Sequence, residues 1–256
     1  MPSSELRPFR IVFNAVEGWG KTTLGANAPN AIMLMARGED GYLTLLGKKR
    51  VPAIPATTVA TWNELLATID ALIADPQGAK LTVLDALGGF ERMNHEHTCQ
   101  QDFDGKWGEK GFMSYHKGYA LSITYWLGFL QRLDRLRTQH NMSILMLSHS
   151  MVRKFKNPDG SDFDRYESDV HPTTWAATKK WADAVLFGDF QTVIDKGERG
   201  RERAKGIGGT QRIVHTEHSD ARDCKNRYGM PPVFQVPNDP TQSWPTVRAA
   251  IVGETQ

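Results

Sequence analysis

Close to its amino terminus the chain carries the segment Ala15-Val16-Glu17-Gly18-Trp19-Gly20-Lys21-Thr22. The segment follows an apolar run from Phe9 to Phe13 and precedes a plausible helix over Thr22–Ala28, so the order is strand, loop and helix. Gly18 and Gly20 have no Cβ, and the backbone can therefore curl and direct its N–H groups at phosphate oxygens. The start of the helix adds a partial positive charge. This order predicts a phosphate-binding P-loop.

The side chains of this loop predict which cofactors it holds. Lys21 can reach the β- and γ-phosphates of a nucleotide, and the Thr22 hydroxyl can ligate Mg²⁺, so we expect ATP and Mg²⁺. Nucleotide contacts are expected from Ala15, Gly18, Trp19, Gly20, Lys21, Thr22 and Thr23. The pattern usually opens with Gly, and Ala15 serves in that place if its φ stays negative. The alternative is a glycine-rich turn that happens to contain a lysine.

The composition restricts the functions that need consideration. The 256 residues suffice for one sizeable α/β core. A formal net charge of only +2 gives no general affinity for polyanions, so binding to nucleic acid would require local basic patches. Cys99 and Cys224 are far apart and predict no disulfide framework. Because the chain has no apolar run of membrane-spanning length and no apolar leader, we expect a cytoplasmic protein without a membrane partner.

Apolar runs alternate with helical spacing along the chain, which favours an α/β fold with a mostly parallel central sheet and helices on both faces. Strands are predicted at Ile11–Asn14, Ala31–Met35, Leu81–Leu84, Ser143–Leu147, Ala184–Phe187 and Arg212–Thr216. Helices are predicted at Thr22–Ala28, Thr61–Ala74, Tyr119–Thr138 and Thr246–Val252. We expect a single domain over residues 1–256, with long irregular loops at 94–118, 150–173 and 196–211. Long loops of this kind are commonly functional.

The predicted strand Leu81–Leu84 ends in Asp85. A P-loop enzyme needs a carboxylate there, the Walker B acid, to hold Mg²⁺ and its water shell. Asp85 is therefore the expected metal ligand together with Thr22. The alternative is a buried strand whose terminal Asp caps the next turn or helix.

Polar residues also end two other predicted strands. Glu39 and Asp40 follow the second strand, and a carboxylate near the γ-phosphate can polarise the attacking water. Glu39 is our choice and Asp40 the reserve, with a solvated turn as the alternative. His149 ends the fourth strand. If that strand lies between those of the P-loop and of Asp85, His149 meets the γ-phosphate and can sense the nucleotide. Otherwise it is a histidine satisfied at a strand end.

In this order the elements resemble the RecA-like branch of P-loop ATPases, which places a catalytic Glu after the second strand and a polar sensor after the strand beyond Walker B. The Glu39-Asp40-Gly41 and Ser148-His149 elements resemble those of phage-encoded ATP-binding proteins linked to single-strand DNA annealing and recombination. Lys225-Asn226-Arg227 resembles the Lys-x-Arg element of RecA-like replicative helicase domains, which reaches a neighbour's nucleotide. The resemblance runs from about Phe9 to Trp244.

The resemblance implies a RecA-like fold, ATP hydrolysis and a homo-oligomer, ring or filament, with nucleotide at subunit interfaces. It also implies single-stranded DNA as a partner, and a single-strand binding protein as a further one. The catalytic residues it assigns are Lys21, Glu39, Asp85, His149, Lys225 and Arg227.

RecA-like proteins contact single strands through loops near and before the sensor strand, and two irregular segments occupy such places here. Basic residues alternate with aromatic ones in both, which suits single-strand binding because cations follow phosphates while rings stack on bases. The expected DNA-binding residues are Lys106, Trp107, Lys110, Phe112, Arg153, Lys154, Phe155 and Lys156. The alternative is solvated loops that their aromatics anchor to the core. A third basic segment, Lys196 to Arg212, can touch nucleic acid or a neighbouring subunit.

The leading functional hypothesis is an ATP-hydrolysing RecA-like protein, DNA-stimulated, that acts on single-stranded DNA in phage recombination, annealing or replication. A second hypothesis is a P-loop small-molecule kinase, which would need Lys196 to Arg212 as a lid over the acceptor. A third is a nucleotide-gated DNA-binding module without significant hydrolysis. Stimulation by single-stranded DNA rather than by nucleosides distinguishes the first from the second, and phosphate release excludes the third.

Overall fold

The computed structural model describes residues 6–158, 160–195 and 205–253. Its strands are β1 (Arg10–Ala15), β2 (Ala31–Ala36), β3 (Ala56–Val59), β4 (Leu81–Asp85), β5 (Ser143–Phe155), β6 (Phe163–Ser168), β7 (Ala184–Asp195), β8 (Lys205–His215), β9 (Lys225–Asn226) and β10 (Val233–Val236). Its helices are α1 (Lys21–Ala26), α2 (Gly41–Gly47), α3 (Trp62–Ala74), α4 (Leu87–Asp102), α5 (Lys117–His140), α6 (Pro172–Trp181) and α7 (Ser243–Val252).

The described strands form one mostly parallel sheet. Its order is β10-β8-β7-β1-β5-β4-β2-β3, with β6 paired to β5 and β9 paired to β7. The run from β7 to β3 is parallel, and β8 and β10 continue it in antiparallel pairing. The cores of β1, β2 and β4 are buried and mostly apolar, as is typical of strands covered on both faces.

The strand order decides which residues meet. Because β5 lies between β1 and β4, the carboxyl ends of these three strands stand side by side. Ala15 at the end of β1 is in register with His149, and Leu84 of β4 is in register with Met146. β5 therefore meets the condition under which His149 can reach the nucleotide site.

Each face of the sheet has its own hydrophobic core, covered by helices. On one face α3, α4, α5 and α6 bury side chains that include Trp62, Phe90 and Trp126. On the other face α1, α2 and α7 bury side chains that include Tyr42 and Trp244. Helices thus cover both faces, as the sequence predicts.

Two of the predicted irregular loops contain regular structure. In segment 94–118, α4 continues to Asp102, and only the stretch from there to a short 3₁₀ turn at Ser114–His116 is irregular. The helix was missed because its inner face carries polar residues. Buried Asn94 donates from Nδ2 to the Ser122 carbonyl at 2.9 Å, and buried Thr98 donates to the Asn94 carbonyl at 2.8 Å, so these donors find partners within the core.

Segment 150–173 is also ordered differently from the prediction. β5 runs on past the sheet core to Phe155, turns, and returns as β6 in antiparallel pairing, after which α6 begins at Pro172. We call residues 150–168 the β5–β6 hairpin. Of segment 196–211, residues from Lys205 onward belong to β8, and 196–204 lie outside the described residues. Across the three described ranges, none of the helices combines the length and apolar character needed to cross a membrane.

Candidate functional site

The P-loop connects the end of β1 at Ala15 to the start of α1 at Lys21. Gly18 has a φ of 74° and Gly20 a φ of 100°, values that favour glycine over any residue with a Cβ. Ala15 is not among the described residues with positive φ, so Ala is accommodated at the position where the pattern opens. The loop therefore has the backbone that the motif requires.

Lys21 lies at the base of this loop and is only 8% exposed. Its Nζ donates a hydrogen bond to the Ala15 carbonyl at 3.1 Å, which folds the ammonium back over the loop. Burial lowers the pKa of Lys21, and the carboxylate of Asp85 is the strongest opposing influence. Within the described residues Lys21 makes no ion pair, and an anion such as a phosphate would supply a counter-charge for this buried ammonium.

The Trp19 side chain has a structural role in the P-loop. The indole is 1% exposed, and its Nε1 donates to the carbonyls of Asp189 at 3.1 Å and Ile213 at 3.2 Å. A Cβ on Gly188 would come within 2.8 Å of the ring, so the absence of a side chain there makes room for it. Arg212 also approaches the loop, with its Nη1 3.4 Å from the Trp19 carbonyl. Trp19 thus fastens the P-loop to β7 and β8, and only its backbone remains for a nucleotide.

Thr22 and Asp85 meet directly. The Thr22 hydroxyl donates to Oδ2 of Asp85 at 2.8 Å. Burial raises the pKa of Asp85, and the Thr22 hydrogen bond opposes this rise. A hydroxyl and a carboxylate oxygen side by side are hard ligands of the kind that Mg²⁺ prefers. The residues present therefore fit the metal that the sequence predicts.

Glu39 and His149 form a pair across the mouth of the site. His149 Nε2 lies 3.8 Å from Glu39 Oε1, which is an ion-pair distance and longer than a hydrogen bond. This pairing lowers the pKa of Glu39 and raises the pKa of His149, and burial opposes both changes. Asp40, the reserve choice for the catalytic acid, is exposed at the start of α2. The structure thus brings Glu39, and not Asp40, to the histidine.

Asp169 belongs to the same site and was not foreseen. It follows β6, its backbone N–H donates to the His149 carbonyl at 3.1 Å, and Ser148 Oγ lies 3.5 Å from its Oδ1. Burial raises the pKa of Asp169, with the charge of His149 opposing. No sequence signal marked this carboxylate, because its position depends on the β5–β6 hairpin that returns the chain to the strand end.

Lys225 and Arg227 lie at the other end of the sheet. β9 pairs with β7 at Ala184 and Val185, whereas the P-loop end of β1 is in register with Gly188. Lys225 Nζ donates to the carbonyls of residues 179, 180 and 182 at 2.8, 3.2 and 2.5 Å, so it caps the carboxyl end of α6. Lys225, one of the two cations predicted to reach a neighbour's nucleotide, thus makes its hydrogen bonds within its own chain. Arg227 is 57% exposed and 3.6 Å from Asp183.

The first predicted DNA-binding segment presents some of its residues and buries another. Phe112 is fully buried, so its ring cannot stack on a base, and that prediction is wrong. It instead anchors the segment, with Trp107 packed at 4.9 Å between ring centroids. Trp107 is 45% exposed, Lys110 is exposed, and Lys106 lies 3.4 Å from Asp104. Tyr115 is the most exposed aromatic of the segment at 92%.

In the second segment, the β5–β6 hairpin, two of the four residues predicted to bind DNA make contacts within the protein instead. Arg153 Nη2 donates to the Val170 carbonyl at 2.7 Å. The Phe155 ring stacks on Phe163 at 5.0 Å and receives the guanidinium of Arg165 at 4.0 Å from its centroid. Arg153 and Phe155 therefore hold the hairpin together. The other two predicted residues, Lys154 and Lys156, are exposed on the hairpin, and Lys154 lies 3.5 Å from Asp162.

Comparison with known proteins agrees with this geometry. A family model described as an AAA domain matches residues 7–228, most of the chain. The chain belongs to the AAA domain family. Among solved structures, the crystal structure of the RadB recombinase is similar at a TM-score of 0.50, with 11% identity over 92% of this chain and 90% of that one. At that identity the likeness shows the fold alone, which is RecA-like. No curated protein matches the chain. The protein is thus a P-loop ATPase domain of the RecA/AAA type.

The Glu39–His149 pair predicts a pH-dependent contribution to stability. Because its carboxylate partner raises the pKa of His149 above the unfolded value, the contribution is complete below about pH 6.5 and is lost as the pH rises through the folded pKa. We expect Glu39→Gln to lose more free energy of unfolding at pH 6 than at pH 8.5, by less than about 1 kcal/mol because the pair is half-exposed.

Urea unfolding at both pH values measures this difference. Asp40→Asn is the matched control, because it neutralises the neighbouring exposed carboxylate, and its effect should not depend on pH in this range. Equal losses for Glu39→Gln at the two pH values would show that the pair does not form in solution.

Proposed function

We propose that this protein hydrolyses ATP in response to single-stranded DNA, the kind of activity found in phage-type annealing, recombination or replication proteins. The observation that carries the proposal is the course of β5. The same strand carries His149 beside Glu39 and then continues into the β5–β6 hairpin, which exposes Lys154 and Lys156. A ligand held on the hairpin would therefore act on the strand that carries His149.

In the proposed hydrolysis each residue has one task. Lys21 balances charge on the β- and γ-phosphates, and Glu39 accepts the proton of the attacking water. His149 orients the Glu39 carboxylate and, as a donor, binds a γ-phosphate oxygen. Thr22 and Asp85 would hold Mg²⁺, which when bound neutralises phosphate charge.

The DNA contact is proposed for exposed residues at the same end of the sheet. The candidates with free or weakly paired side chains are Lys106, Trp107, Lys110, Tyr115, Lys154 and Lys156. The pairs Lys106–Asp104 and Lys154–Asp162 are surface ion pairs at 3.4 and 3.5 Å, which cost little to exchange for a phosphate. Their mixture of cations and half-exposed rings suits a flexible polyanion with unpaired bases.

Phosphate release with and without single-stranded DNA tests the proposal. We expect the DNA to raise the rate of the wild-type protein, and Lys21→Ala to abolish turnover. Glu39→Gln should retain ATP binding but lose about 10²–10⁴ in rate, because the amide cannot accept the proton. Asp40→Asn is the control and should hydrolyse ATP normally. If Asp40→Asn were inactive and Glu39→Gln active, Asp40 would be the catalytic acid. A rate of phosphate release that single-stranded DNA does not change would contradict the proposed function.

We further propose that the protein acts as a homo-oligomer in which Arg227 reaches the nucleotide of the adjacent subunit. Its guanidinium is 57% exposed and lies at the end of the sheet away from its own P-loop, so it has no part in its own site. Breaking its 3.6 Å contact with Asp183 costs little, because Arg10 also holds that carboxylate at 2.8 Å. Lys225 is the poorer candidate, since leaving α6 would uncap three carbonyls.

Mixing two inactive variants tests this arrangement. Arg227→Ala and Lys21→Ala should each be nearly inactive, since an arginine finger contributes about 10³–10⁵ in rate. Mixed, they should regain partial activity, because an intact P-loop can meet an intact Arg227 from another subunit. Arg248→Ala, which changes an exposed arginine of α7, is the control and should be active alone. Failure of the mixture to recover, together with rates linear in protein concentration, would argue for a monomeric ATPase.

A further inference from the structure

A cavity of about 460 Å³ opens beside Glu39, between the turn that follows β2 and the first half of α4. It is separate from the P-loop but shares the carboxylates of Glu39 and Asp169 with the catalytic site. The side chains that matter for its chemistry are Arg37, Glu39, Glu91, Arg92, Trp107 and Asp169. Neither the proposed hydrolysis of ATP nor the β5–β6 hairpin accounts for this cavity.

The floor of the cavity is rigid and acidic. A Cβ on Gly89 would lie 2.4 Å from the Ala36 Cβ, so α4 packs directly against the end of β2. A Cβ on Gly88 would lie 2.8 Å from Asp169 Oδ2, so this carboxylate occupies space that a side chain at position 88 would take. With Glu39 beside it, the floor offers carboxylate oxygens that accept hydrogen bonds and favour ligands with N–H donors.

The rim carries a cation that is free to bind. Arg92 is exposed, and within the described ranges it forms no ion pair or hydrogen bond with another residue. The second arginine, Arg37, is instead held by both carboxylate oxygens of Glu96 at 2.8 and 2.9 Å. Arg92 is therefore the group at this rim best suited to a phosphate.

The rim also carries an aromatic ring, that of Trp107, which a buried neighbour fixes in place. Trp107 is 45% exposed, and its ring packs on the fully buried Phe112. Because Phe112 fixes the ring, little conformational entropy is lost when a planar ligand stacks on its free side. Base–aromatic stacking of this kind contributes to affinity in single-strand binding proteins and tolerates any base, because every base has a π-face.

We propose that this cavity receives one nucleotide unit, with its base on Trp107, its exocyclic amine toward the carboxylates of Asp169 and Glu39, and its phosphate on Arg92. The assignment rests on the proposed function, and it names the part of a single strand that reaches the ATP site. Cytosine, adenine and guanine carry an exocyclic amine, and thymine does not. A free mononucleotide has the same chemistry as a strand unit.

Occupancy of the cavity would bring a strand unit directly beside the catalytic groups. The cavity is lined by Glu39, and the same side chain is paired with His149 in the ATP site. A base that donates to the Glu39 carboxylate would therefore contact a residue of the proposed hydrolysis itself.

Affinity for labelled oligomers, measured by fluorescence anisotropy with the full chain, tests the cavity. We expect an 18-residue deoxycytidine oligomer to bind more tightly than the thymidine oligomer, and an abasic oligomer most weakly, at least about fivefold below deoxycytidine. Trp107→Ala and Arg92→Gln should weaken deoxycytidine binding by a similar factor and remove the preference over thymidine. Trp107→Phe keeps a stacking ring and should restore most of the affinity.

Arg135→Gln is the matched control, because it also neutralises an exposed helical arginine, here paired with Asp70 on a different face. Equal affinities for the three oligomers, unchanged in both cavity variants, would overturn the cavity assignment and leave the proposed function standing. Oligomers that bind with the expected preference but do not stimulate phosphate release would instead contradict the proposed function. Arg92-dependent binding of deoxycytidine monophosphate alone would support the site and make a free nucleotide its source.

Discussion

The parallel pairing of β5 between β1 and β4 is the constraint on which the rest of this structure depends. It places the ends of three strands at one edge of the sheet, and each strand delivers a different group there. β1 leads into the P-loop, β4 ends in Asp85, and β5 carries His149. Since parallel strands all end at the same edge, residues far apart in sequence are collected without any local signal between them. The next strand, β2, adds Glu39 by the same rule.

A second constraint is the packing beneath the P-loop. The Trp19 ring packs into the core against Phe13 of β1. Gly188 of β7 leaves the space that this ring occupies. The loop is therefore fixed by hydrogen bonds from Trp19 to β7 and β8. β7 ends at Asp195 and β8 begins at Lys205, so these strands flank residues 196–204 in the chain. Trp19 therefore links the P-loop to both of them.

The site concentrates buried charges whose balance needs a ligand. Burial lowers the pKa of Lys21 and raises the pKa of Asp85, and the two groups influence each other in the opposite sense. Asp169 and the Glu39–His149 pair add to the same cluster. Such clusters of perturbed groups in a cleft are typical of catalytic sites.

Much of this arrangement could be predicted from the sequence, because its signals are local. The glycines of the P-loop, the carboxylate that ends β4 and the apolar strands are read from short runs of residues, and the parallel fold follows from their alternation. The rest depends on contacts between distant residues. Phe112 and Phe155 look like stacking residues in sequence but are anchors in the structure, and Lys225 caps a helix that the sequence did not reveal. Asp169 entered the site only through the return of a hairpin.

The central claim is that Thr22 and Asp85 form one Mg²⁺ site that completes ATP binding in the P-loop. Titration calorimetry of ATP with and without Mg²⁺ tests it most directly, with Asp85→Asn compared with the wild-type protein. The account predicts that Mg²⁺ tightens ATP binding by at least about tenfold, or about 1.4 kcal/mol, in the wild-type protein and much less in the variant. An equal effect of Mg²⁺ on the two proteins would contradict it, because the metal would then be held without the Asp85 carboxylate.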